Sequence, residues 1–153
     1  MVIVLVEIGL TRWVSQASGS WPLKASCMSN RTSNSVPAIV LVVEDNFFLR
    51  WNLADHLREA GYLVKEAGSA QQALEFCDDG TRIDVLITDI QLNDRRSGWD
   101  VADAFRALWK QIPVIYASGY ASEPARPVAN SVFFKKPYEP TEVVKACQRL
   151  VTY

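Results

Sequence analysis

The chain has 153 residues, 49% of them hydrophobic and 22% charged, which suits one soluble globular domain with a sizeable core. Its formal net charge of -1 gives no general attraction to nucleic acid or to an anionic membrane, and its longest basic runs are the doublets Arg95-Arg96 and Lys135-Lys136, so a DNA-binding module is not expected. The three cysteines, Cys27, Cys77 and Cys147, form no CxxC pair, which argues against a zinc site or a disulfide framework and for a reducing, cytoplasmic setting.

Residues 1–10 are apolar but are broken by Glu7 and have no basic flank before them. The run is too short to span a bilayer and makes a poor signal peptide. Residues 15–37, rich in Ser, Asn and Gly, read as linker, and Met28 offers an alternative translation start. Residues 1–36 are therefore expected to be an extension peripheral to a working domain over residues 37–153.

Strand and helix signals alternate from Ala38 onward, the pattern of a parallel sheet covered on both faces. The first strand is read over Ile39–Val43, followed by a helix over about 47–60 with Leu49, Leu53, Leu57 and Ala60 on one stripe, closed by Gly61. The second strand covers 62–67. Ser69 with Gln72 three residues later predicts a capping-box start to the second helix, which runs to about Cys77. Asp78-Asp79-Gly80 is a turn, and the third strand, 84–88, ends at Asp89. A polar loop over 91–97 leads to a helix whose stripe is Val101, Phe105, Leu108 and Trp109. Pro113 opens the fourth strand, 114–117, which ends at Ser118-Gly119. Pro124 and Pro127 then make any helix over 120–130 short or irregular. The fifth strand is placed at about 132–135, and a last helix from Pro140 carries Val143, Val144, Cys147, Leu150 and Val151. Five such units predict an α/β fold, a doubly wound five-stranded parallel sheet of flavodoxin-like (βα)5 type with strand order 2-1-3-4-5.

The polar signatures fall where strands end. The first strand runs into Glu44-Asp45, the third into Asp89, the fourth into Ser118 and the fifth into Lys136-Pro137. In a parallel sheet these ends share one edge, the edge at which open α/β sheets bind ligands. Three carboxylates gathered there repel one another unless a cation sits between them or some stay protonated. Oxygen ligands favour a hard divalent ion, Mg²⁺ above others. Each residue also has a plainer reading: Glu44 or Asp45 as helix cap, Asp89 as loop acid, Ser118 as part of a turn, Lys136 as a solvated lysine. The lone His56, inside the first helix, reads as structural or exposed and not as a phosphate donor.

The stretches VLVVEDN, DVLITD, YASGY and FFKKP resemble the receiver domain of two-component response regulators, from about Ala38 to the end of the chain. The resemblance implies that Asp89 accepts a phosphoryl group and that Glu44, Asp45, Asp89 and the backbone carbonyl of Gln91 hold Mg²⁺. It further implies that Ser118 bonds a phosphoryl oxygen, that Lys136 pairs with the phosphate, and that the Lys136-Pro137 bond is cis. Gln91 and Tyr120 would flank the phosphate, and a bulky Tyr120 implies slow hydrolysis of phospho-Asp89. The usual aromatic of the fifth strand is Phe133, which has no hydroxyl. The Tyr116-to-Tyr120 stretch is similar to a subgroup of single-domain receivers with a Phe-Ala-Thr-Gly-Tyr motif, where that aromatic switch is not relied upon.

The chain's end directly after the last helix leads to the expectation of a stand-alone, single-domain response regulator. It would be phosphorylated by a sensor histidine kinase or a histidine phosphotransfer protein, and would signal by altered binding of a downstream protein or by acting as a phosphate sink. It would be a phosphoacceptor rather than an enzyme on other substrates, with neither nucleic acid nor membrane as partner. Two rivals share the fold. A flavodoxin-like electron carrier would need a phosphate-cradling loop where Glu44-Asp45-Asn46 would repel the flavin phosphate. A metal-dependent phosphohydrolase would place a second aspartate where Gln91 stands. A degenerate receiver is disfavoured by the full set of acids, hydroxyl and lysine.

Overall fold

The computed structural model describes residues 36–119 and 129–151. In chain order the elements are β1 (Ile39–Val43), α1 (Phe47–Glu59), β2 (Leu63–Ala67), α2 (Ala70–Asp78), β3 (Val85–Asp89), α3 (Gly98–Leu108), β4 (Val114–Ser118), β5 (Ser131–Lys135) and α4 (Pro140–Val151). All strand pairings are parallel, in the order β2-β1-β3-β4-β5, as the alternating pattern predicts. The expected irregular helix before β5 lies outside the described residues, as do Tyr120 and residues 1–35. Among the described residues, no helix is long and apolar enough to cross a membrane.

Alternation along the strands divides the core into two layers. Leu41, Val43, Leu86, Val114 and Tyr116 face α2 and α3, packing on Ala70, Ala73, Val101, Ala102 and Phe105. Val40, Val42, Val85, Ile87 and Ile115 face α1 and α4, packing on Leu53, Leu57, Val143, Ala146 and Cys147. The three central strands are buried on both faces, so they read as near-continuous apolar runs, with polar residues only where β3 and β4 end.

Local chemistry sets the helix ends. The Asn46 side chain accepts from the N–H groups of Phe48 and Leu49, capping α1. At the other end Gly61, at φ +92°, closes α1 as expected: its N–H donates to the Arg58 carbonyl and that of Tyr62 to the Leu57 carbonyl. Burying Leu53 and Leu57 contributes about 1.5–3 kcal/mol each, against about 1 kcal/mol for the cap, so the apolar stripe decides the rotation of α1.

Several expectations shift. Leu49 is not on the buried stripe but 45% exposed, and Leu108 is likewise exposed. Asp84 lies just outside β3, where its carboxylate accepts the Ile39 N–H at 2.8 Å. Ser69 does cap α2, but the Gln72 side chain accepts from Gly68, not from Ser69, so the box does not close as drawn. The reciprocal box forms at Ser97 and Asp100, at the start of α3.

Cys147 is fully buried, and that burial pushes its thiol from the ordinary 9.0 up to about 12. The unfolded chain releases this proton near its ordinary value, while the folded chain holds it. The contribution to stability is therefore whole below pH 9.0 and is lost as pH rises toward about 12. The denaturant midpoint of the wild type is expected to fall across that window, and that of Cys147→Ala to fall less steeply. Equal slopes would contradict the assignment.

Candidate metal and phosphoryl site

The predicted polar residues converge at the carboxyl edge of the sheet because β1, β3, β4 and β5 run parallel and end level with one another. Asp89 pairs with Ala117 in the register of β3 and β4, and Ser118 pairs with Lys135 in that of β4 and β5. Main-chain bonds tie the ends together: Glu44 N–H to the Ala67 carbonyl at 3.1 Å, Ile90 N–H to Ala117 at 2.9 Å and Lys136 N–H to Ser118 at 2.7 Å. The Lys136-Pro137 peptide is cis, as expected.

Glu44, Asp45 and Asp89 each offer a carboxylate oxygen, all within 4.8 Å of one another. Glu44, Asp89 and Ser118 are buried, and Asp45 is half-buried. Lys136 reaches between two of the acids, with Nζ 2.5 Å from Glu44 Oε2 and 2.5 Å from Asp89 Oδ2. Burial raises the Glu44 carboxyl above its ordinary value, an effect only partly offset by the bond from Lys136. Burial also pulls the Lys136 ammonium downward, but hydrogen bonds to Asp89 and Glu44 outweigh it and leave the ammonium raised. One ammonium among three carboxylates leaves room for a divalent cation, and an all-oxygen donor set suits a hard one.

The other predicted residues fall as follows. The Gln91 N–H donates to Asp89 Oδ1 at 2.9 Å, which sets the Gln91 main chain beside the proposed acceptor. Phe133 is removed from the acids and stacks on Tyr116, its register partner, with centroids 4.9 Å apart; Trp99 packs against Tyr116 at 4.3 Å. Tyr120 lies outside the described residues.

Three contributors escaped sequence reasoning. The Asn93 N–H donates to Asp45 Oδ2 at 3.2 Å, folding the polar loop over the acidic edge. Asp94 in the same loop accepts the Gln71 N–H, anchoring the loop to α2. Gly98 starts α3 directly against β3: a Cβ there would lie 2.0 Å from the Asp89 carbonyl oxygen and 2.7 Å from Thr88 Oγ1. The Gly after Ser97 was the available signal for the third of these; for the first two there was none, since the contacts are tertiary.

A doubly wound sheet with a half-buried lysine between two buried acids at its carboxyl edge defines a small α/β domain built around a charged ligand site. The response regulator receiver domain family model matches residues 40–148, and the chain belongs to that family of two-component signalling domains. It is 32% identical over 123 residues to the transcriptional regulatory protein PdtaR of Mycobacterium tuberculosis, covering 77% of this chain and 58% of the relative. It is 32% identical over 114 residues to the transcriptional regulatory protein FixJ of Rhizobium meliloti, covering 72% of this chain and 55% of that one. This chain thus spans little more than half the length of these relatives. A response regulator receiver protein from Sinorhizobium medicae superimposes with a TM-score of 0.71 at 28% identity, covering 76% of this chain and 95% of its own.

Proposed function

We propose that the unit over residues 37–153 is a phosphoacceptor that takes a phosphoryl group on Asp89 from a histidine kinase or a histidine phosphotransfer protein, in the cytoplasm, and signals by altered protein binding. The observation that carries this reading is the Lys136 ammonium bridging Glu44 and Asp89 at 2.5 Å each, with Asp45 beside them. An Asp89 carboxylate oxygen attacks phosphorus, the P–N bond to the donor imidazole breaks, and the ring nitrogen takes up a proton. Lys136 offsets the charge of the transferring oxygens, Ser118 donates to one of them, and the Gln91 N–H holds the second Asp89 oxygen away from the attack. Glu44, Asp45, Asp89 and the Gln91 carbonyl would hold Mg²⁺, which supplies charge neutralisation at the phosphoryl group when bound.

The new phosphate brings about two negative charges to the edge where Ser118 stands, and drawing Ser118 toward it would shift the end of β4 and so change the surface offered to a partner. Intact mass after incubation with acetyl phosphate and Mg²⁺ tests the proposal. The wild type is expected to gain the mass of one phosphoryl group and Asp89→Asn to gain none. Equal gain in both proteins would show that Asp89 is not the acceptor.

A further inference from the structure

We infer that Arg50 is a positioning residue for the metal-holding acids, acting through the main chain of Glu44; this rests on the Mg²⁺-assisted reading above. Arg50 stands one turn into α1, its N–H bonded to the Asn46 carbonyl. Its side chain turns back toward the sheet, and Nη1 donates to the Glu44 carbonyl at 2.6 Å. Glu66 on β2 steadies the guanidinium from behind, with Nε 3.5 Å from Glu66 Oε2, and the Phe47 ring lies 5.6 Å from Cζ. The side chain is only 16% exposed, so this is a packed contact rather than a wandering surface arginine.

The consequence lies in how the turn after β1 is held. The Glu44 N–H is bonded to Ala67 and its carbonyl to Arg50, so the main chain that aims both Glu44 and Asp45 is gripped at each end of one residue. A planar, always-charged guanidinium suits the task, since it can donate to a carbonyl and a carboxylate at once in fixed geometry. Gly68 makes the space: a Cβ there would sit 3.2 Å from Arg50 Nη1 and 3.4 Å from Gln72 Oε1. Gly68 is not among the positive-φ glycines, so a side chain is compatible with its backbone and would press on the flexible end of Arg50.

Two physical effects of Arg50 on a bound dication have opposite signs, which makes the inference sharp. Loss of positioning weakens metal binding; loss of a nearby positive charge tightens it. Titration calorimetry with MgCl₂ on the full chain, for wild type, Arg50→Met, Arg50→Lys and Gly68→Val, reads the balance, with urea unfolding alongside. Outer groups that orient metal ligands typically matter about 10–100-fold in affinity; Arg50→Met and Gly68→Val are expected at about the 10-fold end of that range, with Arg50→Lys between them and wild type. Gly68→Val keeps the arginine and its charge, so it separates position from charge and serves if Arg50→Met fails to fold. Unchanged affinity in the folded variants would reduce Arg50 to a structural role, and tighter binding in Arg50→Met would make it a charge effect; either overturns the inference. A wild type that binds no Mg²⁺ would instead overturn the metal reading beneath it.

Discussion

Lys136→Met is expected to lose stability without divalent cations, to recover part of it with MgCl₂, and to take up phosphoryl groups far more slowly. The wild-type ammonium sits 2.5 Å from the carboxylates of Glu44, just past β1, and Asp89, at the end of β3, and the side chains of Glu44, Asp89 and Lys136 are 6%, 9% and 16% exposed. Removing one partner of a buried ion pair strands the other charge, a cost of about 3–5 kcal/mol. The lower end applies here, because Glu44 is already held above its ordinary value by burial and can take a proton. Urea unfolding with and without Mg²⁺ measures both parts, since a ligand that binds only the folded state stabilises it by mass action. Loss of a preorganised charge aimed at transferring oxygens lowers the rate by about 10²–10³-fold, read from the mass gain with acetyl phosphate over time. A variant as stable as wild type in the absence of divalent ions would mean the lysine does not neutralise these acids.

Gly98→Ala is expected to lower the urea midpoint and to slow phosphoryl uptake together. The added methyl would lie 2.0 Å from the Asp89 carbonyl oxygen, and what it meets is main chain, which cannot rotate aside. The start of α3 must then move from β3, although its N–H is bonded to the Ile90 carbonyl at 2.9 Å and Ser97 and Asp100 cap it there. Overpacking of this kind costs about 1–3 kcal/mol, and the strained strand end is the one that carries the proposed acceptor. Gly119→Ala, at the end of β4, is the comparison: no described atom lies within 4 Å of a Cβ at that position, so little change in stability is expected. Because Gly→Ala at a compatible position lowers the entropy of the unfolded chain and so does not itself cost stability, equal loss in the two variants would show that the contact with β3 is not what destabilises Gly98→Ala.

The parts legible in the sequence are those written by period and position. Apolar runs ending in Glu44-Asp45, Asp89, Ser118 and Lys136 are one-dimensional signals, and parallel pairing alone brings them to a common edge. Arg50 was not legible as part of the site, because its partner is a carbonyl and its seat is an absence of side chain at Gly68. Asn93 contributes only an N–H, which every residue but proline has. Leu49 fits the helical period yet is 45% exposed, because period alone cannot tell where the core stops. The packing of Trp99 on Tyr116 depends on how α3 docks against β4, which no local pattern records.

The ring stack on β4 and β5 sets how firmly the partly exposed Phe133 side chain is held. Phe133 lies nearly parallel to Tyr116, at 19°, and its centroid is also 5.7 Å from that of Trp99. Aromatic pairs contribute about 0.5–1.5 kcal/mol each beyond area burial, so turning Phe133 away from both neighbours costs about 1–3 kcal/mol. At a factor of ten for each 1.4 kcal/mol, a cost in that range leaves roughly one molecule in five to one in 140 with the ring turned out. The exposed part of Phe133 is thus held in one dominant pose by its two ring neighbours.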